Sequence, residues 1–226
     1  MMLSVMTSDA TATRSRVTAA HVGTSGWSYP SWKPGFYPPE LKPPSFLSFY
    51  AQRFDTVELN TTGYRLPAEE QFRRWAAATP DGFELAPKMQ VYRLDAVGTF
   101  AERVGVLGDR LGPIRVAVQS PRDDGLLALV ASSVDPRLRL AWDFRHPSWE
   151  DAAIPAGSVR VNALEAEAPF RYLRLREPPY TDEDLERETE RIGPLLADGL
   201  DVYVYLRHED EPTAPRYAER LLELLG

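Results

Sequence analysis

Along the chain, short apolar runs alternate with amphipathic stretches. Strand-like runs occupy 20–27, 56–62, 83–89, 114–120, 138–144, 158–164, 171–176 and 201–207. Between several of them apolar residues recur at helical spacing, as in Phe100, Val104, Leu107 and Leu111, which share one face of a helix. Residues 181–200 open on Thr181, a side chain suited to cap a first turn. Asp182, Glu183 and Asp184 follow it, where the helix dipole favours negative charge. Residues 212–226 supply a last helix. Strands interleaved with helices predict parallel pairing, and eight of them predict an α/β fold of the single (β/α)8 TIM-like barrel type. The links from Trp149 to Ser158 and from Leu164 to Arg171 are shorter than the dozen or so residues of a helical crossover. The crossovers after strands 5 and 6 are therefore expected to be shortened loops, leaving one flank thinly covered.

Alternate residues of a strand face opposite sides. If the apolar parity faces the helices (Val57, Leu59, Leu85, Val116, Val118, Trp142, Leu173, Leu175, Val202, Val204), the other parity collects polar residues. These are Glu58, Asn60, Lys88, Gln119, Asp143, Arg145, Arg174, Arg176, Tyr203, Tyr205 and Arg207, mostly toward the C-terminal ends, where barrel enzymes build their sites. An ionised carboxylate inside such a ring costs several kcal/mol unless paired, so Glu58 is expected to have partners among Lys88, Arg145 and Arg174.

Composition removes several classes of function. No apolar run approaches the roughly 20 residues that span a bilayer. The chain has 226 residues, of which 43% are hydrophobic and 26% charged, and no cysteine, which excludes disulfides, thiol catalysis and Cys-based metal centres and fits cytoplasmic residence. A net charge of −7 argues against a broad basic face for duplex DNA but leaves room for a local cationic pocket. Lysine occurs only at 33, 42 and 88, leaving 23 of the 26 basic residues as arginine. Residues 1–19, small and polar, read as a disordered extension ahead of a barrel-like domain over 20–226.

Several stretches resemble the YecE-like family, known as domain of unknown function 72: HVGTSGWSYPSW (21–32), FYP (36–38), FDTVELNTTGYRLP (54–67), FRRWAAATPDGFELAPK (72–88), LGDRLGP (107–113), FRHPSW (144–149) and APRYAERL (214–221). The resemblance implies a TIM-barrel-like fold and no established activity. This chain departs from the family pattern in four places. Gly63 stands where the family has an aromatic before the tyrosine, and a helix is missing after HPSW. Arg174-Leu175-Arg176-Glu177 replaces Arg-Leu-His-Gly, and Arg207 and His208 stand where the family tends to have Asn. Any family chemistry that uses those His and Asn side chains is lost or rewired here.

The candidate chemistry centres on Glu58, Lys88, Asp143 and His146 as catalytic residues, with Trp27, Asn60, Tyr64, Gln119, Arg145, Arg174 and Arg207 binding a ligand. In DFRHPSW (143–149) Asp143 can orient His146 as a general base while Arg145 grips an oxyanion. Alternatively, Asp143 and Arg145 pair with neighbouring strands and His146 caps the loop. Lys88 suits an electrophile, a phosphate ligand, a Schiff-base amine or a partner of Glu58. The glycine-rich GTSGW (23–27) either cradles an anion or is a tight turn beside an indole, and it is no P-loop. Trp27, Trp32, Tyr64 and Trp149 wall a pocket or cap the core. No metal is assigned: among His21, His146 and His208 only His146 can join Glu58 and Asp143 around one ion. The cofactor and oligomeric state are left open. The expected function is binding of a small phosphorylated or carboxylated ligand at the C-terminal mouth, with hydrolysis or proton transfer. The alternatives are a non-catalytic binding protein and a nuclease-like barrel acting on nucleic acid.

Overall fold

The computed structural model describes residues 20–91 and 95–226. The strands are β1 (Ala20–Thr24), β2 (Thr56–Leu59), β3 (Glu84–Gln90), β4 (Ile114–Val118), β5 (Leu140–Phe144), β6 (Val159–Arg160), β7 (Phe170–Leu175) and β8 (Asp201–Leu206). The helices are α1 (Phe46–Tyr50), α2 (Glu69–Ala77), α3 (Asp95–Gly105), α4 (Asp124–Ser132), α5 (Asp182–Ala197) and α6 (Thr213–Leu225). Each expected apolar run overlaps a strand, with β3 and β7 each extending one residue beyond theirs, and every strand pair is parallel. α5 starts as its sequence implies: the Thr181 hydroxyl accepts from Asp184 N at 3.2 Å and the Asp184 carboxylate accepts from Thr181 N at 2.7 Å, a reciprocal cap. α3 ends at Gly105, so Leu107 and Leu111 of the expected face lie beyond it, although Leu107 is still buried. The extension over 1–19 lies outside the described residues.

The ladders form two sheets, β1-β8-β7 and β2-β3-β4-β5-β6, rather than one continuous ring of eight strands. Side chains explain both interruptions. Between β1 and β2 the Tyr50 hydroxyl is inserted: it accepts from Thr24 N at 2.8 Å and donates to Thr56 O at 3.1 Å. Gly23 passes so close there that a Cβ would lie 2.3 Å from Thr56 O, and a single bridge, Ser25 to Glu58, follows. Between β6 and β7 the edge strand is only two residues long, and Asn162 takes over. Its φ of 69° turns the chain, a conformation Asn tolerates, so that Asn162 N reaches Tyr172 O at 2.9 Å. The Asn162 amide then accepts from Arg174 N at 2.6 Å and donates to Arg174 O at 3.2 Å.

The outward parity behaves as the pattern implies: Val57, Leu59, Leu85, Val116, Val118, Trp142, Leu173, Val202 and Val204 are buried in the core beneath the helices. Each such side chain contributes about 1.5–3 kcal/mol when fully buried. The inner faces meet in a second cluster, Ala86, Ala141 and Val159 of one sheet against Phe170, Tyr172, Tyr203 and Tyr205 of the other. No α-helix follows β5 or β6. There Phe144 stacks between Trp142 and Trp149 at 5.9 and 4.7 Å, and the Arg160 guanidinium covers it at 4.9 Å. Trp149 Nε1 donates to Ser120 O at 2.8 Å and Trp142 Nε1 to Ser158 Oγ at 3.0 Å, so indoles do the covering that helices do elsewhere.

At the N-terminal end of β1, His21 stacks on Tyr203 at 4.5 Å and its Nδ1 meets Asp55 Oδ2 at 2.6 Å. Burial pushes the imidazole pKa down, but the hydrogen bond and charge of Asp55, with Glu84 and Asp201, outweigh it and raise the value above 6.5. A raised value means stability that is complete below the unfolded pKa and lost as pH rises through the folded one. The stability gap between the wild type and Asp55→Asn is therefore expected to be larger at pH 6 than at pH 9 in urea titrations. A gap independent of pH removes this pair from the pH dependence.

Candidate functional site

Glu58 answers to the alternation of its strand: Val57 and Leu59 face the helices, so Glu58 faces inward and is fully buried. Its Oε1 accepts from Arg115 at 2.8 Å and from the Tyr172 hydroxyl at 2.8 Å. Its Oε2 accepts from Ser25 Oγ at 2.8 Å and from Arg174 at 2.9 Å. Burial alone would raise the pKa of this carboxyl, but the charges of Arg115 and Arg174 and the hydroxyls of Tyr172 and Ser25 bring it down to about 2. Burial and the neighbouring Glu58 charge hold the Tyr172 phenol well above its usual range. With four donors on two oxygens, the carboxylate is a fixed anion at neutral pH that orients two guanidinium groups.

Asp143 forms a second node. It lies 3.4 Å from Arg115 Nε, 3.3 Å from Arg145 and 2.8 Å from Arg176. Arg115 thus touches both buried carboxylates, and three arginines occupy the one that was expected to orient His146. The Asp143–His146 pair does not form. β5 ends at Phe144, the strand phase is lost, and His146 stands exposed with Nδ1 2.8 Å from Ser148 Oγ, capping the turn Pro147–Trp149. The three groups suggested for a metal are likewise apart, and no cluster of three or more His, Asp or Glu suited to a cation occurs among the described residues.

The expected Glu58–Lys88 pair is also absent. The ammonium of Lys88 lies 4.2 Å over the ring of Tyr64, which is 73% exposed. The Lys88 stem runs beneath Gly63, where any Cβ would come within 2.7–2.9 Å of its Cδ, Cε and Cγ. A side chain at position 63 would require the Lys88 stem to shift. Gln119 has inward parity but stands exposed beyond the end of β4. Trp27 points away from the polar cluster, packing edge-on to Trp75 at 5.3 Å and accepting at its carbonyl from Tyr37 at 2.5 Å.

Above Glu58 and Asp143 opens a cavity of about 290 Å³ lined by Ser25, Asn60, Arg145, Arg174, Arg176, Arg207 and His208. Asn60, Arg145, Arg174 and Arg207 are therefore brought together as expected. Arg207 donates to Arg176 O at 3.4 Å, and Nε of both Arg174 and Arg176 is buried without a partner. His208 stacks on Tyr29 at 4.5 Å; burial, Arg207 and Arg174 push its pKa below 6.5. Arg115, Tyr172 and Ser25 were not among the expected site residues. Arg115 has the inward parity of Gln119 and Tyr172 that of Arg174, but both sit early in their strands and reach the mouth only through long side chains. No helix among the described residues is long and apolar enough to cross a membrane.

Replacing Glu58 by Gln leaves Arg115 and Arg174 buried side by side without their anion, and a loss of about 3–5 kcal/mol is expected in denaturant titrations. Because the folded pKa is depressed, the stability contributed by the ionised carboxylate is present above about pH 4.5 and lost only as pH falls toward about 2. A neutral substitution would refute the role of Glu58 as anchor.

The fold has counterparts in known proteins. The family model described as "Protein of unknown function DUF72" matches residues 21–226. The UPF0759 protein YecE of Escherichia coli K12 is 28% identical over 142 residues, 57% of this chain and 49% of that protein, so the match spans about half of the relative's length. Among solved structures, a DUF72 family protein from Thermotoga maritima superposes with a TM-score of 0.74 at 23% identity, over 91% of this chain and 98% of that one. Another from Enterococcus faecalis V583 gives 0.74 at 16% identity over 92% and 95%. These likenesses confirm the α/β fold, and the match over nearly all of the described residues makes this chain a member of the DUF72 family.

Proposed function

We propose that this protein binds a small oxyanion-bearing ligand, phosphorylated or carboxylated, at the C-terminal ends of its strands, where the two sheets curve into a barrel-like enclosure. The observation that carries this reading is the lining of the mouth cavity: four guanidinium groups, Arg145, Arg174, Arg176 and Arg207, and no carboxylate. The anions that hold three of them lie beneath: Glu58 has two donors on each oxygen, and Oδ2 of Asp143 meets Arg115, Arg145 and Arg176. Five arginines, counting Arg115, face two carboxylates, so the cluster carries a surplus of positive charge in an otherwise acidic chain. Nε of both Arg174 and Arg176 is buried without a partner, so Glu58 and Asp143 do not exhaust the donor capacity of these guanidinium groups. Guanidinium pairs suit the planar geometry of carboxylates and the face of a phosphate, and the cavity volume of about 290 Å³ fits a compact ligand at the lower end of small-molecule sites.

In this reading Glu58 and Asp143 position arginines and do not move protons, and His146 has no part in the site. Anion binding is checked by calorimetry with inorganic phosphate, pyrophosphate and a tricarboxylate. Arg207→Gln, at an exposed position outside the Glu58 network, is expected to weaken binding about tenfold without changing the melting temperature of the free protein. Absence of heat and of any ligand-induced rise in melting temperature with all three anions would refute the reading.

A further inference from the structure

We propose that Lys88 is a nucleophilic amine that condenses with the carbonyl group of a small anionic aldehyde or ketone. The anionic end of that ligand rests among the mouth arginines, so this inference builds on the function proposed above. Lysine is almost never buried unless paired, because the ammonium loses its hydration. Lys88 is only 4% exposed, and among the described residues no carboxylate lies within ion-pair distance of it. The nearby acid, Glu58, has both oxygens occupied by Arg115, Arg174, Tyr172 and Ser25. Burial and the charge of Arg115 push the amine below its ordinary pKa of 10.5, against the opposing pull of Tyr64 and Glu58, which enlarges the neutral, nucleophilic fraction.

The turn Asn60–Gly63 holds both the main chain and the stem of Lys88. One hydroxyl, Thr62 Oγ1, donates to Lys88 O at 2.8 Å and accepts from Lys88 N at 3.0 Å. The stem is clamped beneath Gly63, and only the tip is covered by a side chain at the surface, the ring of Tyr64. Tyr64 is thus a cover that can swing aside without disturbing the core. The turn Asn60–Gly63 relates the amine to the anion cavity: Asn60 at its start lines the cavity and Gly63 at its end covers Lys88. The amine and the anion cavity thus flank the two ends of one four-residue turn, and the ligand class proposed here is one that lies across it. The candidate ligands are a 2-oxo acid and a phosphorylated aldehyde or ketone, which share an oxyanion a few bonds from a carbonyl.

The step balances without an oxidant or reductant. The Nζ lone pair forms a bond to the carbonyl carbon, and the carbonyl oxygen takes up a proton to give a carbinolamine. That hydroxyl leaves as water with a proton from nitrogen, giving an imine and one water from an amine and a carbonyl.

The full chain is incubated at pH 7 with pyruvate, 2-oxoglutarate or dihydroxyacetone phosphate and sodium cyanoborohydride, then analysed by intact mass and peptide mapping. The expected result is a single reduced adduct on the Lys88 peptide, lost in Lys88→Met and slowed by inorganic phosphate. Lys33 and Lys42, more exposed, serve as internal controls. Tyr64→Ala, at an exposed position that folding does not need, is expected to speed labelling. The 2-oxo acids and the phosphorylated ketone separate the two ligand sources. No adduct with any of the three carbonyl compounds, or labelling spread evenly over Lys33, Lys42 and Lys88, overturns the proposal even if calorimetry shows phosphate binding. A Lys88 adduct that forms as fast with acetaldehyde and ignores phosphate refutes the anionic ligand class.

Discussion

The carboxylate of Glu58 is the constraint on which the remaining architecture depends. Its four donors come from β1 or just beyond it (Ser25), β4 (Arg115) and β7 (Tyr172 and Arg174), while Glu58 itself belongs to β2. β1 and β7 lie in the three-stranded sheet, and β2 and β4 in the five-stranded one. Where backbone ladders stop, a buried ion and its hydrogen bonds tie the two sheets together. Asp143 extends the tie through Arg115 to Arg145 and Arg176. Buried ion pairs seldom exceed apolar packing in net stability, so the benefit of this arrangement is geometric: it fixes guanidinium groups at defined positions around the cavity.

The two seams are complementary solutions to one problem. Parallel strands that approach imperfectly leave N–H and C=O groups without partners, and each such group costs free energy when buried. At one seam a phenol from α1 enters the gap; at the other an asparagine in left-handed conformation imitates a strand. Both use a side chain with donor and acceptor capacity to replace a missing backbone partner. The flank after β5 is treated in the same spirit, with stacked aromatic rings and Arg160 taking the place of helices.

Much of this was legible in the sequence. The eight apolar runs overlap the eight strands to within one residue where a strand overruns, the Thr181 cap is present, and the short links after β5 and β6 indeed carry no α-helix. Inward parity selected Glu58, Asp143 and Arg174 correctly. Strand alternation stops governing where strands end: Gln119 lies past Val118 and stands exposed, and His146, singled out by the DFRHPSW stretch, lies past Phe144. It also failed through reach. A sequence places Cα atoms, whereas Arg115 and Tyr172 bring their polar ends to the mouth from early strand positions, and Lys88, nearer in register, turns toward Tyr64. The division into two sheets was hidden because Tyr50 and Asn162 act through three-dimensional contacts that no local pattern encodes.

The wide sequence spacing of the Glu58 partners bears on how the chain reaches its native state. Ser25 and Arg174, joined at 3.1 Å, are 149 positions apart, so the full set of donors around Glu58 is complete only when the first and seventh strands have both arrived. The five-stranded sheet alone would give Glu58 only Arg115 of its four donors, leaving Oε2 without a partner, which disfavours burying this carboxylate before the three-stranded sheet arrives. The same contact that readies the mouth for its ligand therefore acts as a late checkpoint in assembly, making completion of the enclosure and formation of the cationic site a single cooperative event.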